Sequence, residues 1–295
     1  MKLLIITQKV DKNDPVLGFM HRWIEEFSKS FDKVTVICLW RGEYNLPGVA
    51  VHSLGKESSK GVLVKLWRFY RYIWQLRRDY DAVFVHMNQE YVILGWKIWW
   101  ILNKPIYMWR NHGHGDIFTR LAGFFSHKVF YTSPNSFTAS FKNSVKMPVG
   151  IDTNFFKPVP NAKRIPNSVL FLGRISPVKK VLEFIDWIKG TDYIATIAGP
   201  ILSEDREYGE IVKSRALDNK RIKFIGPVNK DEALKLYQTH QFYANKTPAG
   251  SFDKTIFEAL ACGCALIVDN PDAKNIKIEE HSLEKLMQKL KKEMV

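Results

Sequence analysis

Short runs of β-branched and apolar residues, each closed by a small or polar residue, recur along the chain and alternate with segments of helical periodicity. KLLIITQ, KVTVICLW, VAVHSL, AVFVHM, PIYMWRN and KVFYTS form one series, ending before about residue 150. SVLFLG, YIATIAG, IKFIGP, QFYANKT and ALIVDN form a second. Runs of this length between turn residues read as buried strands. Strands alternating with helices predict parallel sheets covered on both faces, since each crossover lays a helix on the sheet. Two series therefore predict two doubly wound α/β domains. The stretch GIDTNFFKPVPNAKRIPNS (150–168) has three prolines and no periodicity and reads as the linker, which puts the domains at 1–155 and 156–295. After ALIVDN the chain closes with one amphipathic helix, EEHSLEKLMQKLKKEMV.

One helical segment has two apolar faces. In KGVLVKLWRFYRYIWQLRRDYD (60–81), Leu63, Leu66, Trp67, Tyr70, Ile73 and Trp74 share a face at 100° per residue and are expected to pack on the sheet. The opposite face carries Lys65, Arg68, Phe69, Tyr72 and Leu76. Aromatic and basic groups on a wet face describe an interfacial helix, so Lys65, Arg68, Phe69 and Tyr72 are candidates for contact with an anionic membrane surface. A solvated helix covered by a neighbouring element is the alternative.

Composition narrows the partners. The net charge is +14, and residues 1–155 hold the larger share, with 21 Lys+Arg against 12 Asp+Glu. Such a balance suits nucleic acid, an acidic membrane or phosphorylated substrates. No nucleic-acid recognition motif is present, which leaves nucleic acid without a basis beyond charge. The cysteines Cys38, Cys262 and Cys264 show no disulfide or metal spacing, in keeping with a reducing cytoplasm. The opening MKLLIITQ reads as a first strand and not a signal peptide. The stretch YVILGWKIWWIL (91–102) is interrupted by Lys97 and falls short of the roughly 20 residues that span a bilayer.

Ligands of doubly wound sheets bind at the carboxyl ends of the strands. In FLGRISPVKK (171–180) a strand ends at Gly173 and is followed at once by Arg174, then by Lys179 and Lys180. An Arg fork and a Lys point charge at that edge suit a diphosphate without a metal; a solvated basic loop is the plainer reading. In GSFDKTIFEALACG (250–263) a helix starting near Asp253 offers unpaired backbone N–H groups, so the loop with Gly250, Ser251, Phe252 and Asp253 forms a candidate anion site. Glu258 lies one to two turns further in, among apolar residues. A carboxylate is a bidentate acceptor for the vicinal hydroxyls of a ribose; an i,i+4 pair with Lys254 is the alternative. In the first domain, Gly18 stands before a helix in QKVDKNDPVLGFMHRW, where a simple helix entry also accounts for it. RNHGHGD (110–116) follows the strand PIYMW and carries His112 and His114. DYD (79–81) has the DxD form of a metal site, yet it precedes its strand and so lies at the wrong edge of the sheet. No metal ligand set is assigned.

Four segments in order, VGIDTNFFKP (149–158), FLGRISPVKK, FIGPVNKDEALKLY (224–237) and GSFDKTIFEALACG, resemble family 4 of the retaining glycosyltransferases, the group 1 glycosyltransferases. The resemblance is clear over about residues 105–270. It implies the GT-B fold, two Rossmann-like domains facing a central cleft, here with a shortened C-terminal end. It also implies an acceptor-binding first domain and a donor-binding second domain. The family's GRxxPxK motif places Arg174 and Lys179 on the donor diphosphate, its E-x7-E motif places Glu258 on the ribose, and His112, with His114 as competitor, falls at the donor sugar. Gly18 matches a small-residue loop near acceptor and phosphate. The sequence departs from the pattern at Gly250, where the family has its first Glu, and at Lys180, where the family usually has Gly. Asp253 or the amides beside Gly250 are the substitutes on hand for the missing Glu.

The implied activity is transfer of a hexosyl group from a nucleotide-diphosphate sugar to a cell-envelope glycan or lipid-linked acceptor. It needs no cofactor, and its expected place is the cytoplasm or the inner face of the cell membrane. A non-catalytic nucleotide-sugar binder and a GT-B nucleotide-sugar epimerase are the rival readings.

Overall fold

A computed structural model of the chain describes residues 1–250 and 252–295. The runs of the first series become β1 (Lys2–Val10), β2 (Lys33–Arg41), β3 (Ala50–Ser53), β4 (Ala82–His86), β5 (Ile106–Trp109) and β6 (Lys128–Tyr131). Between them lie α1 (Phe19–Ser30), α2 (Val62–Gln75), α3 (Gln89–Ile101) and α4 (Ile117–Phe125). A short strand that no apolar run announces, β7 (Ser144–Lys146), completes a seven-stranded parallel sheet in the order β3-β2-β1-β4-β5-β6-β7.

The second series becomes β8 (Ile165–Leu172), α5 (Val181–Lys189), β9 (Ile194–Ala198), α6 (Arg206–Leu217), β10 (Ile222–Gly226), α7 (Lys230–Thr239), β11 (His240–Asn245), α8 (Lys254–Ala261) and β12 (Ala265–Val268). Its five strands pair in parallel in the order β10-β9-β8-β11-β12. Both orders reverse direction after a central strand, the doubly wound topology. The last helix is α9 (Leu283–Met294).

The chain divides into two compact units, Met1–Met147 with Leu286–Val295, and Pro148–Lys285. The sequence boundary at 155 thus falls inside the second unit. Phe156 explains this, since its ring is buried in the core of that unit with Tyr237 and Ile256. The end of α9, read from sequence as part of the second domain, is held in the first: the Tyr107 hydroxyl donates to the Met294 carbonyl at 3.0 Å, and Lys128 pairs with Glu293 at 3.0 Å.

Strand order fixes which helices share a layer. Steps from β3 to β4, β4 to β5 and β5 to β6 all run one way across the sheet, and right-handed crossovers therefore put α2, α3 and α4 on one face, with α1 on the other. Side chains agree. Phe69, Ile73, Tyr91, Trp99 and Ala122 pack with Val83, Val85 and Met108, whereas Trp23 and Phe27 of α1 meet Trp109 and Phe84.

The expected orientation of α2 is largely reversed, Ile73 alone of the expected inward face being fully buried. Phe69 is fully buried, Tyr72 and Leu76 pack on the core beside Ile73, and Lys65 and Arg68 are half-buried. Leu63, Trp67, Tyr70 and Trp74 are left outside. Both faces of this helix are apolar, so periodicity names two stripes without ranking them. The sheet takes the stripe whose rings mesh with Tyr91 and Trp99, 4.8 and 6.1 Å from Phe69.

Candidate functional site

The carboxyl edge of the second sheet is built largely from backbone. A side chain at Gly199 (φ +139°) would stand 1.9 Å from the Gly173 carbonyl oxygen, so β8 and β9 end in close main-chain approach. The chain leaves Gly173 through Arg174 into a 3₁₀ turn, Pro177–Lys179, and enters α5 by way of Lys180. Lys180 takes φ +53°, the left-handed conformation that makes Gly the usual residue there.

Tyr243 ties this loop to α8. Its hydroxyl lies 3.0 Å from the Leu172 carbonyl, to which it donates, and 2.6 Å from Thr255 Oγ1 in the first turn of α8. Lys179 then forms an ion pair with Asp253, the N-cap residue of α8. The Asp253 carboxylate does not cap its own helix. It accepts from Asn245 Nδ2 at 2.9 Å and Thr247 Oγ1 at 2.7 Å, besides Lys179. Burial alone would raise its pKa, but the charge and hydrogen bond of Lys179, with Asn245 and Thr247, outweigh it and hold the carboxyl below the usual range.

Glu258, one turn into α8, accepts from the buried Tyr237 hydroxyl at 3.0 Å. Burial raises its pKa, partly offset by the Tyr237 hydrogen bond and by Lys254 and Lys230. Lys254 sits one turn earlier and donates to the carbonyls of Val149 (3.1 Å) and Gly150 (3.4 Å). Burial lowers its pKa to about 7 against the pull of Glu258. Gly250 is buried at φ +95°, and its N–H donates to Asp272 at 3.0 Å. Phe252 packs edge-on to Phe257, 5.1 Å between ring centres. Ser251 lies outside the described residues.

Lys179, Asp253 and Glu258 are therefore gathered around α8. Arg174 stands in the same loop as Lys179, its Nε 3.8 Å from Asp205. Together they present cations and a helix N-terminus that suit a diphosphate, and a carboxylate that suits hydroxyls.

In the first unit, Gly18 and His112 follow the carboxyl ends of β1 and β5. Gly18 is the N-cap of α1, and a side chain there would come within 2.5 Å of the Asp14 carbonyl. That loop is tightened by Asp14, which accepts from the amides of Val16 and Leu17 at 2.9 and 2.6 Å and pairs with Lys9 at 2.6 Å. His112 is exposed, and its Nδ1 lies 3.1 Å from both the carbonyl oxygen and the amide nitrogen of His114. His114, also exposed, serves this turn through its backbone. The two acids of DYD hold the opposite edge: Asp79 pairs with Lys33 at 2.7 Å, and Asp81 accepts the Lys2 amide at 2.8 Å.

Tyr237, Asn245, Thr247 and Asp205 were not foreseen as site residues. Asn245 and Thr247 close the run QFYANKT, and polar groups at the carboxyl end of a buried strand are a readable signal. Tyr237 falls within FIGPVNKDEALKLY with nothing to distinguish it from a core aromatic.

Residues 152–285 match the family described as glycosyl transferases group 1. No curated protein matches the chain in sequence. Solved structures with a similar fold include HepE of Anabaena in complex with UDP, at 16% identity and a TM-score of 0.76 over 99% of each chain. WaaG, a glycosyltransferase involved in lipopolysaccharide biosynthesis, is similar at 12% identity and a TM-score of 0.60, over 99% of this chain and 90% of that one. UDP-GlcNAc 2-epimerase from Methanocaldococcus jannaschii aligns at 15% identity and a TM-score of 0.54, over 100% of this chain and 93% of its own. The chain thus carries the GT-B fold along its length, and residues 152–285, in its second unit, match the group 1 glycosyltransferases.

Proposed function

We propose that the protein is a retaining glycosyltransferase that moves a hexosyl group from a nucleotide-diphosphate sugar to a cell-envelope glycan or glycolipid, at the cytoplasmic side of the membrane. The observation that carries this reading is the pairing of Lys179 with Asp253 at the start of α8, with Arg174 in the same loop as Lys179 and Glu258 one turn further into the helix. Arg174, Lys179 and the α8 N-terminus meet the charge that builds on the leaving diphosphate, a role that requires no metal ion. Glu258, held by Tyr237, accepts from the ribose hydroxyls. His112 hydrogen-bonds the sugar. The first domain takes the acceptor and the second the donor. The retained stereochemistry rests on the family resemblance, and the envelope acceptor on the similarity to WaaG.

A non-catalytic nucleotide-sugar binder is the second reading, favoured by Gly250 in place of the family's Glu and by the engagement of Lys179 with Asp253. The similar fold of the epimerase keeps epimerisation as a third. Titration calorimetry with UDP-, GDP- and dTDP-sugars in EDTA tests the donor site, UDP-sugars first because HepE is seen with UDP. One base class is expected to bind, with affinity falling roughly tenfold or more in Arg174→Ala and in Glu258→Ala, as for the loss of a charged hydrogen bond. Absence of binding by the folded protein, or equal binding by both variants, overturns the assignment. Release of nucleoside diphosphate only in the presence of acceptor separates transferase from binder and epimerase.

A further inference from the structure

The outward side of the α2–α3–α4 layer is unusually apolar for a solvent face. On α2, Leu63 (82% exposed), Trp67 (57%), Tyr70 (39%) and Trp74 (50%) recur at intervals of four, three and four residues, a straight stripe from the first turn to the last. On α4, Ile117, Phe118, Leu121 and Phe124 form a second stripe, with Phe124 82% exposed. Between them, α3 ends in Trp100 and Ile101, 74% and 68% exposed. A groove of about 470 Å³ runs beside the end of α3, lined by Trp96, Trp100, Lys104, Phe124, Phe125 and His127. Scattered apolar side chains on a surface need no account, whereas stripes on neighbouring helices of one layer do.

Charge identifies the occupant. Residues 60–128 carry eleven Lys+Arg and four Asp+Glu. Three of those acids already have partners: Asp79 with Lys33, Asp81 with the Lys2 amide, and Asp116 as the cap of α4. Several cations sit among the aromatic rings. Arg71 lies 4.9 Å from the ring of Trp67, Arg77 4.7 Å from Trp74, and Lys97 5.7 Å from Trp96. Indoles and aliphatic tips surrounded by uncompensated cations match the headgroup level of an anionic bilayer, where rings enter the interface and Arg and Lys reach the phosphates. A second copy of this chain would instead set two positive faces against each other.

We infer that the α2–α3–α4 face of the first unit is a docking surface for an anionic lipid bilayer, entered by Leu63, Trp67, Trp74, Trp100 and Phe124 and held by Arg71, Arg77 and Lys97. This surface goes beyond the donor site and stands without it. Its position also serves an acceptor carried on lipid: Ile117 and Phe118 follow directly on the loop from His112 to Asp116. A bilayer against α4 therefore meets the protein beside the carboxyl edge of the first sheet.

Flotation with phosphatidylcholine vesicles, with and without phosphatidylglycerol, tests the inference in the absence of any sugar donor. Binding is expected only to the anionic vesicles, weakening with salt, with indole emission shifting to the blue. Trp67→Ser/Trp74→Ser/Phe124→Ser and Arg71→Glu/Arg77→Glu are each expected to reduce binding by roughly tenfold or more. All five positions are at the surface, and an unchanged thermal midpoint shows the variants folded. The inference is overturned if wild type ignores anionic vesicles, if both variants bind as well as wild type, or if wild type is a dimer in solution that the same substitutions dissociate. Because no nucleotide enters the experiment, its failure leaves the donor assignment untouched, and the reverse holds too.

Discussion

At Asp253 a carboxylate that elsewhere would cap its helix is turned onto Lys179, Asn245 and Thr247. The arrangement keeps the cation fixed at the strand edge. On the proposed reading it also sets the carboxylate against an incoming diphosphate, which would compete for the same amine. Asp253 lies three residues after Gly250, where the family's Glu is missing, so the acid nearest that gap in sequence is committed to holding Lys179. Its folded pKa lies below the ordinary value of 3.8, and stability from this pair is therefore present above that value and lost as pH falls through the folded pKa. Asp253→Asn is expected to remove that acid-side loss and to lower stability at neutral pH by about 1–3 kcal/mol, less than a fully buried pair because both side chains keep 18% exposure. UDP is expected to bind several-fold tighter to the variant. Urea unfolding between pH 3 and 7, with UDP titration at neutral pH, measures both; weaker UDP binding would show that Asp253 assists the diphosphate. None of this could be read from residues 74 apart in sequence, although Lys179 and Asp253 were each singled out by their place at a strand or helix end.

Element by element, strands announced themselves because a strand covered on both faces must be apolar throughout, and AVFVH, fully buried in β4, is the plainest case. Ser144–Lys146 carries no such run, since an edge strand is covered on fewer sides, and β7 was missed. The face of α2 was misread for the opposite reason, an excess of apolar signal. For α8 the sequence supplied the helix and the odd carboxylate but not the state of Lys254. Burial next to Glu258 brings its pKa to about 7, whereas the unfolded amine titrates near 10.5. Below about pH 7 the amine is charged in both states and its desolvation cost is carried in full. Between those values the folded state binds fewer protons, so this group makes stability rise with pH. Lys254→Met is expected to flatten that rise and to be more stable than wild type at pH 6. Thermal midpoints across pH 6 to 10 decide it, and an equal slope in both proteins would mean that the amine is solvated.

For the molecule as a whole, the decisive feature is that the chain returns to its first unit after completing the second. Leu286 and Leu290 are fully buried, Met287 and Met294 nearly so, and Tyr107 and Lys128 reach the final turn of α9. Each such side chain stabilises by roughly 1.5–3 kcal/mol on burial, an upper estimate, against a total of about 5–15 kcal/mol for a domain. Removing residues 286–295 is therefore expected to bring the first unit close to unfolding while the sheet β8–β12 keeps its own core. The two units can be followed separately, because all nine tryptophans except Trp187 lie in the first. Indole emission should show the truncated chain unfolding at far lower urea, and hydrogen exchange should show amides of β8, β9 and β11 still protected at concentrations where those of β1 and β4 are not. If the indole transition stays where it is in the full chain, α9 is an ornament on the first unit and its buried leucines contribute little to it. If both sheets lose protection together, the tail is instead what makes the two units fold as one.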